Sequence, residues 1–268
     1  MSRNKYVVAF RIGFQSSLEY RFNFFLSLLS AVFPMIVQYY IWTAVYASAG
    51  ENVVFGYSYH EMIMYTILAA VVSKLVITNI EYTIAEDIKS GGLNKYMIQP
   101  IYYFGFRISS YIGQRLIYFI ISLFIILVLT YALNMLYNLH AAEERVMIFC
   151  LSLILSIILS FMISYAICAC AFWLSEISYF FVVTSLLVNI MSGGIFPLEI
   201  FGEKLQQVFR FMPFHYMIYF PVNVLNGKIA GELIWQGIIG QGVWIALLLL
   251  ICHLVWKWGM KRYLGLGG

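Results

Sequence analysis

Long stretches without a charged residue dominate the chain. Charge-free runs extend from Phe22 to Gly50, Leu116 to Ala142, Val146 to Ser175, Ile177 to Leu198 and Leu233 to Trp256, and a further run from Met62 to Ile80 is interrupted only by Lys74. Each is close to or above the ~20 residues that a helix needs to cross hydrocarbon. Continuous runs, rather than short alternating segments, predict helices and not a strand barrel. The expectation is an all-α membrane protein with a single domain over 1–268 and six spans, at 22–47, 61–80, 115–138, 146–172, 177–196 and 233–256.

The opening MSRNKYVVAFRIGFQSSLEYR reaches no long apolar core before Arg21, so no removable leader is expected and the first span doubles as the insertion signal. Within it Val7, Phe10, Phe14 and Leu18 recur at helical spacing, with Arg11, Gln15 and Arg21 at other positions. That pattern predicts an elbow helix over 1–21 in the headgroup layer; a basic flank that only fixes topology is the plainer reading. With the N-terminus inside, eleven cations fall inside (Arg3, Lys5, Arg11, Arg21, Lys89, Lys95, Arg107, Arg115, Lys257, Lys261, Arg262) and four outside (Arg145, Lys204, Arg210, Lys228). The positive-inside bias therefore predicts cytoplasmic termini, a cytoplasmic tail over 257–268, and a multi-pass protein of a prokaryotic plasma membrane.

Composition agrees. At 63% hydrophobic and 10% charged, with a mean hydropathy of +0.87, 268 residues carry more apolar surface than a soluble core would bury. The net charge of +4 is the sum of a basic inner face and an acidic outer one, which gives no nucleic-acid footprint and predicts lipid as the surrounding partner. Cys150, Cys168, Cys170 and Cys252 all fall within predicted spans and read as packing residues.

The connections are mostly short. Ser48 to His60 is an aromatic outer loop with Tyr57 and Tyr59 at interfacial depth, a second outer turn falls near Tyr137 to Arg145, and Trp173 to Ser178 reads as an inner hairpin. A longer outer segment, 197–232, places Phe201, Leu205, Val208, Phe209 and Met212 on one helical stripe, followed by an apolar piece from Phe211 to Val224 that is too short to span and holds Pro213 and Pro221. It predicts a re-entrant or interfacial element, with an amphipathic cap on the bundle as the alternative.

Candidate chemistry is sparse. His60, His140, His215 and His253 have no metal-ligand spacing, and there is no H-E-x-x-H or G-x-S-x-G motif. Gly-Lys occurs only at Gly227-Lys228 and is followed by isoleucine, so the chain has no phosphate loop and is expected to bind no cofactor itself. Lys74 is the one formal charge well inside a predicted span. It lies about two turns before Glu81 on the same face, with Thr78 between, and either snorkels to the inner interface or faces a pathway.

The inner stretch AEDIKSGGLNKYMIQP gathers Glu86, Asp87, Lys89, Gly91, Gly92 and Lys95 within a predicted cytoplasmic segment at 81–106. Its glycines permit a sharp bend, and its mixed charges suit either a polar partner surface or a solvated turn. Ile88, Gly91, Leu93 and Pro100 match I-x-x-G-x-L-x-x-x-x-x-x-P, with Gly92 beside the motif glycine. On the outer side SGGIFPLEIF is followed by FMPFHYMIYFPVNVLNGKI. Across essentially the whole chain this order of features resembles the ABC-2-type permeases, the membrane subunits of ATP-binding-cassette exporters.

The resemblance implies a non-enzymatic transport subunit that pairs with a second permease, identical or related, and with separate ABC ATPase subunits that carry the ATP and magnesium. It implies that the inner segment is a coupling helix, with Glu86, Asp87, Lys89, Gly91, Gly92 and Lys95 facing the ATPase. It likewise implies that Gly193, Gly194, Phe196, Pro197, Pro213 and Phe214 form an outer gate. An intramembrane enzyme and a non-transporting scaffold or immunity protein stand as rival readings.

Overall fold

The computed structural model describes residues 4–137, 143–174 and 176–263. Most of the predicted second outer turn, Ser175 of the inner hairpin, the first three residues of the elbow and the last five of the tail lie outside the described residues.

Among the described residues, five helices are long and apolar enough to cross a membrane. Helix α1 (Lys5–Glu19) leads through Tyr20 into α2 (Arg21–Ala49). A small antiparallel hairpin, β1 (Val53–Val54) and β2 (Tyr57–Ser58), then turns the chain into α3 (Tyr59–Val76). The start of α3 is fixed by reciprocal bonds between Ser58 and Glu61, a capping box. After a break come α4 (Ile80–Lys89) and the short α5 (Asn94–Ile98), then α6 (Tyr103–Tyr137) and α7 (Glu143–Cys168). Helices α8 (Ser178–Met191), α9 (Gly202–Arg210), α10 (Tyr219–Asn226) and α11 (Glu232–Arg262) complete the order.

Helices α3 and α7 form the centre. Leu68, Val72, Leu75, Phe149, Leu153 and Phe161 are fully enclosed there. Helices α2 and α6 pack on α3, α11 packs on α7, and α10 is wedged between α3 and α7. The outer helices expose large apolar side chains such as Phe22, Phe33, Phe124 and Trp235, as expected of surfaces that meet lipid or another membrane subunit.

Two departures from the sequence pattern have physical causes. The predicted span at 177–196 is helical only as α8, whose 14 residues reach about 21 Å, short of the ~30 Å hydrocarbon thickness. It stops at Ser192-Gly193-Gly194, where Gly193 adopts φ +78°, the Ser192 carbonyl accepts from the Tyr219 N–H at 2.8 Å and the Gly193 carbonyl accepts from the Tyr65 hydroxyl at 2.7 Å.

The second apolar run also breaks, at Ile77–Asn79, so Lys74 and Glu81 do not share one helical face. Lys74 reaches Ser30 on α2 at 3.3 Å, whereas Glu81 is buried and lines a cavity with residues of α7 and α8. The carbonyls around the break find side-chain donors: Val76 accepts from Ser160 at 2.7 Å and Leu75 accepts from Arg115 at 3.1 Å.

Helix α1 packs against α6. It runs in the same direction as the first turns of α6, with Tyr6 against Gly105, Gly13 against Ser110, and Phe10 and Phe14 against Gly113. Its enclosed residues are Ala9, Gly13 and Ser17, not the apolar stripe, from which Val7 and Leu18 point outward. Small side chains let the two backbones approach, while Val7 and Leu18 stay on the outside.

A β-carbon at Gly113 would collide with the Phe10 carbonyl, whereas one at Gly242 meets nothing within 4 Å. Gly113→Ala is therefore expected to cost about 1–3 kcal/mol and Gly242→Ala to stay within about 1 kcal/mol of wild type. Thermal unfolding of the two purified variants in detergent measures the difference.

Candidate functional site

The predicted site residues fall at two places in the fold. At the first, α4 buries Ile84, Ala85 and Ile88 and presents Glu86 and Lys89 on its exposed side. Its end is closed by the Ser90 hydroxyl, which donates to the Glu86 carbonyl at 2.7 Å. Gly91 then takes φ +76°, a conformation that glycine adopts without steric cost. Gly92 lies so close to α4 that a β-carbon would sit 3.0 Å from the Asp87 carboxylate and 3.2 Å from its Cα. The glycine pair thus folds the chain tightly back along α4, and Leu93 becomes buried.

Glu86 and Asp87, adjacent in sequence, part company here. Asp87 is turned inward with its side chain only 15% exposed and forms an ion pair with Arg107 of α6. It also accepts from the Tyr103 hydroxyl at 2.6 Å, and Arg107 Nε donates to that same hydroxyl at 3.0 Å. Each polar atom in this triad supports the next, the condition under which an enclosed charge pair is tolerated.

Tyr103 stacks on Trp256 of α11, with ring centroids 5.3 Å apart, and Trp256 stacks on Tyr165 of α7 at 4.8 Å. The segment is thereby tied to three long helices. Its exposed tip is α5, where Lys95 lies 4.9 Å over the Tyr96 ring and Met97 and Ile98 are exposed, Ile98 at 85%. Sequence reasoning selected the charges and passed over Met97, Ile98, Tyr103 and Arg107. The i, i+4 spacing of Tyr103 and Arg107 was visible, but nothing in it pointed to Asp87.

The second place is built around Glu199, within a single turn of tight helix at Leu198–Phe201. Its carboxylate forms a 2.7 Å ion pair with Lys228, accepts from the Tyr219 hydroxyl at 2.5 Å and lies 3.3 Å from the Tyr57 hydroxyl. Asn223 of α10 contacts that Tyr57 hydroxyl at 2.9 Å, and Lys228 Nζ sits 3.2 Å from the Tyr57 ring centre. Burial pushes the Lys228 ammonium below its ordinary range, and Glu199 pulls it back up. The cluster pins the β1–β2 hairpin, the turn after α8 and the end of α10 to one another.

The predicted gate residues surround this cluster without forming it. Gly193 and Gly194 make the turn after α8, pressed against Tyr65, Tyr219, Asn189 and Ser73. Phe196 meets Trp42 of α2 edge-on, with centroids 6.3 Å apart. Pro197 precedes the Glu199 turn and Pro213 opens the tight turn Pro213–Tyr216, which contains Phe214. Between them α9 is strongly amphipathic, with exposed Leu205 and Val208 next to Phe211, which is 81% exposed. A lone carboxylate in the apolar context FPLEIF was the available signal for Glu199, and its partners are up to 142 residues away.

A sequence profile described as ABC-2 family transporter protein matches residues 19–267. The chain belongs to this family. No curated protein and no solved structure gives a significant match. As a membrane component of an ABC-2 transporter it has the long apolar helices this role needs, and among the described residues no three or more His, Cys, Asp or Glu side chains are placed to hold a metal ion.

His215, in the turn before α10, supplies a pH test of this packing. It is buried against Tyr216 and Tyr219, and burial, reinforced by the charge of Arg210, lowers its pKa from 6.5 to about 3. The unfolded chain therefore binds a proton that the folded chain refuses, so stability falls as pH drops from the unfolded value toward the folded one. Between pH 6.5 and pH 5 the expected loss is about 1.5 kcal/mol, and His215→Phe should flatten this part of the unfolding profile.

Proposed function

We propose that the chain is the permease subunit of an ATP-driven exporter, that it crosses the plasma membrane six times with both termini cytoplasmic, and that it moves a hydrophobic or amphipathic substrate. In this reading α8 and the irregular Ser192–Pro197 segment together make the fifth of the six crossings. Two permeases, identical or related, assemble with separate ATPase subunits that hold ATP and magnesium.

The observation that carries the reading is the Asp87–Arg107–Tyr103 triad. A segment that only turned the chain would need no enclosed ion pair to another helix. Here the exposed part, Glu86, Lys89, Lys95 and the Met97–Ile98 tip, offers polar and apolar contacts to a cytoplasmic subunit, while Asp87 and Leu93 grip the bundle. Displacing the tip would pull on α6 through Arg107 and on α11 through the Tyr103–Trp256 stack.

The same division of labour assigns separate tests to the two neighbouring acids. Glu86→Lys should weaken ATPase association about tenfold, the effect of ~1.4 kcal/mol at a charged contact, and leave membrane insertion intact. Arg107→Met should retain the ATPase but abolish substrate stimulation of its turnover. Co-purification and ATPase assays of the reconstituted complex separate these outcomes, and full coupling in both variants would exclude the assignment.

A further inference from the structure

One carboxyl group in the middle of the bundle has no part in either cluster. Glu81 follows the break between α3 and α4 and is 5% exposed, and among the described residues no Lys, Arg or His forms an ion pair with it. Ser164 of α7 hydrogen-bonds its carboxyl, yet its Oε2 has no hydrogen-bond partner. It lines a cavity of about 20 Å³ together with the hydroxyls of Thr78, Ser160, Ser164, Thr184 and Ser185, room for one occupant the size of a water molecule.

The hydrogen bonding of that wall narrows the occupant. Three of the five hydroxyls have committed their protons to backbone carbonyls: Ser160 to Val76 at 2.7 Å, Thr184 to Phe180 at 2.9 Å and Ser185 to Val182 at 2.9 Å. Each of these oxygens keeps its lone pairs for another donor or a cation. An unpaired carboxylate facing oxygen acceptors repels anions and favours a hard cation. The space suits a small ion rather than an organic ammonium, and a single carboxylate balances one positive charge.

We infer that Glu81 and these hydroxyls form a binding site for one dehydrated monovalent cation of sodium size. The bound ion compensates the buried carboxylate and fastens α4 to α7 and α8 at the point where the second apolar run is broken. The inference does not depend on the transport reading.

The test is thermal unfolding of the purified full-length chain in detergent, in sodium chloride against choline chloride at equal ionic strength. Sodium at ten times its Kd is expected to raise Tm by about 3 °C, and choline to leave it unchanged. Glu81→Gln should abolish the sodium response. Thr184→Val, which keeps the carboxyl and alters a half-buried position on α8, should reduce it by half or more. Equal responses to the two salts, a sodium response that survives in Glu81→Gln or is unaltered in Thr184→Val, or stabilisation by acid alone without any sodium effect would each overturn the site.

Discussion

Three interruptions of helices in this bundle are answered by side-chain or backbone donors from other elements. In hydrocarbon a freed carbonyl has no water to turn to, and each unmet group costs several kcal/mol. Around the break at Ile77–Asn79 the donors are Ser160 and Arg115. At Ser192–Gly194 they are the Tyr219 amide and the Tyr65 hydroxyl. Before α10 the Tyr216 carbonyl accepts from Ser156 at 3.0 Å and from Gln241 at 3.0 Å. Because α7 supplies Ser156 and Ser160, and α3 supplies Tyr65, these two helices must be central, and the remaining helices arrange themselves around them.

That arrangement gives the protein two stiff ends of different chemistry. At the Asp87 end an ion pair and a run of stacked aromatics connect one short exposed helix to three long ones. At the Glu199 end a carboxylate, an ammonium and two tyrosines join segments that the chain itself keeps far apart. Between the two ends lies the packed α3–α7 centre, whose enclosed side chains leave little room for independent movement.

The small-residue contact of α1 fits the same solvent. In water its apolar stripe would seek the protein core. Beside lipid, large apolar groups gain nothing by facing inward, and close packing of small residues decides the contact. Hence Ala9, Gly13 and Ser17 meet α6, while Val7 and Leu18 face out.

The sequence by itself determined the class of protein, because so many charge-free runs of span length exceed what a soluble core would bury. It also located the inner segment and the small-residue break after α8, since Gly91-Gly92 and Ser192-Gly193-Gly194 are local signals for backbone that must bend. Only the tertiary structure decided that α8 is short, that Asp87 turns inward while Glu86 turns out, and that Lys74 and Glu81 serve different surroundings. Each of these depends on a partner distant along the chain: Tyr219 for the turn after α8, Arg107 for Asp87, Ser30 for Lys74 and Ser164 for Glu81. Periodicity reports which residues share a face of one helix; it carries no information about which donor from another helix will meet that face.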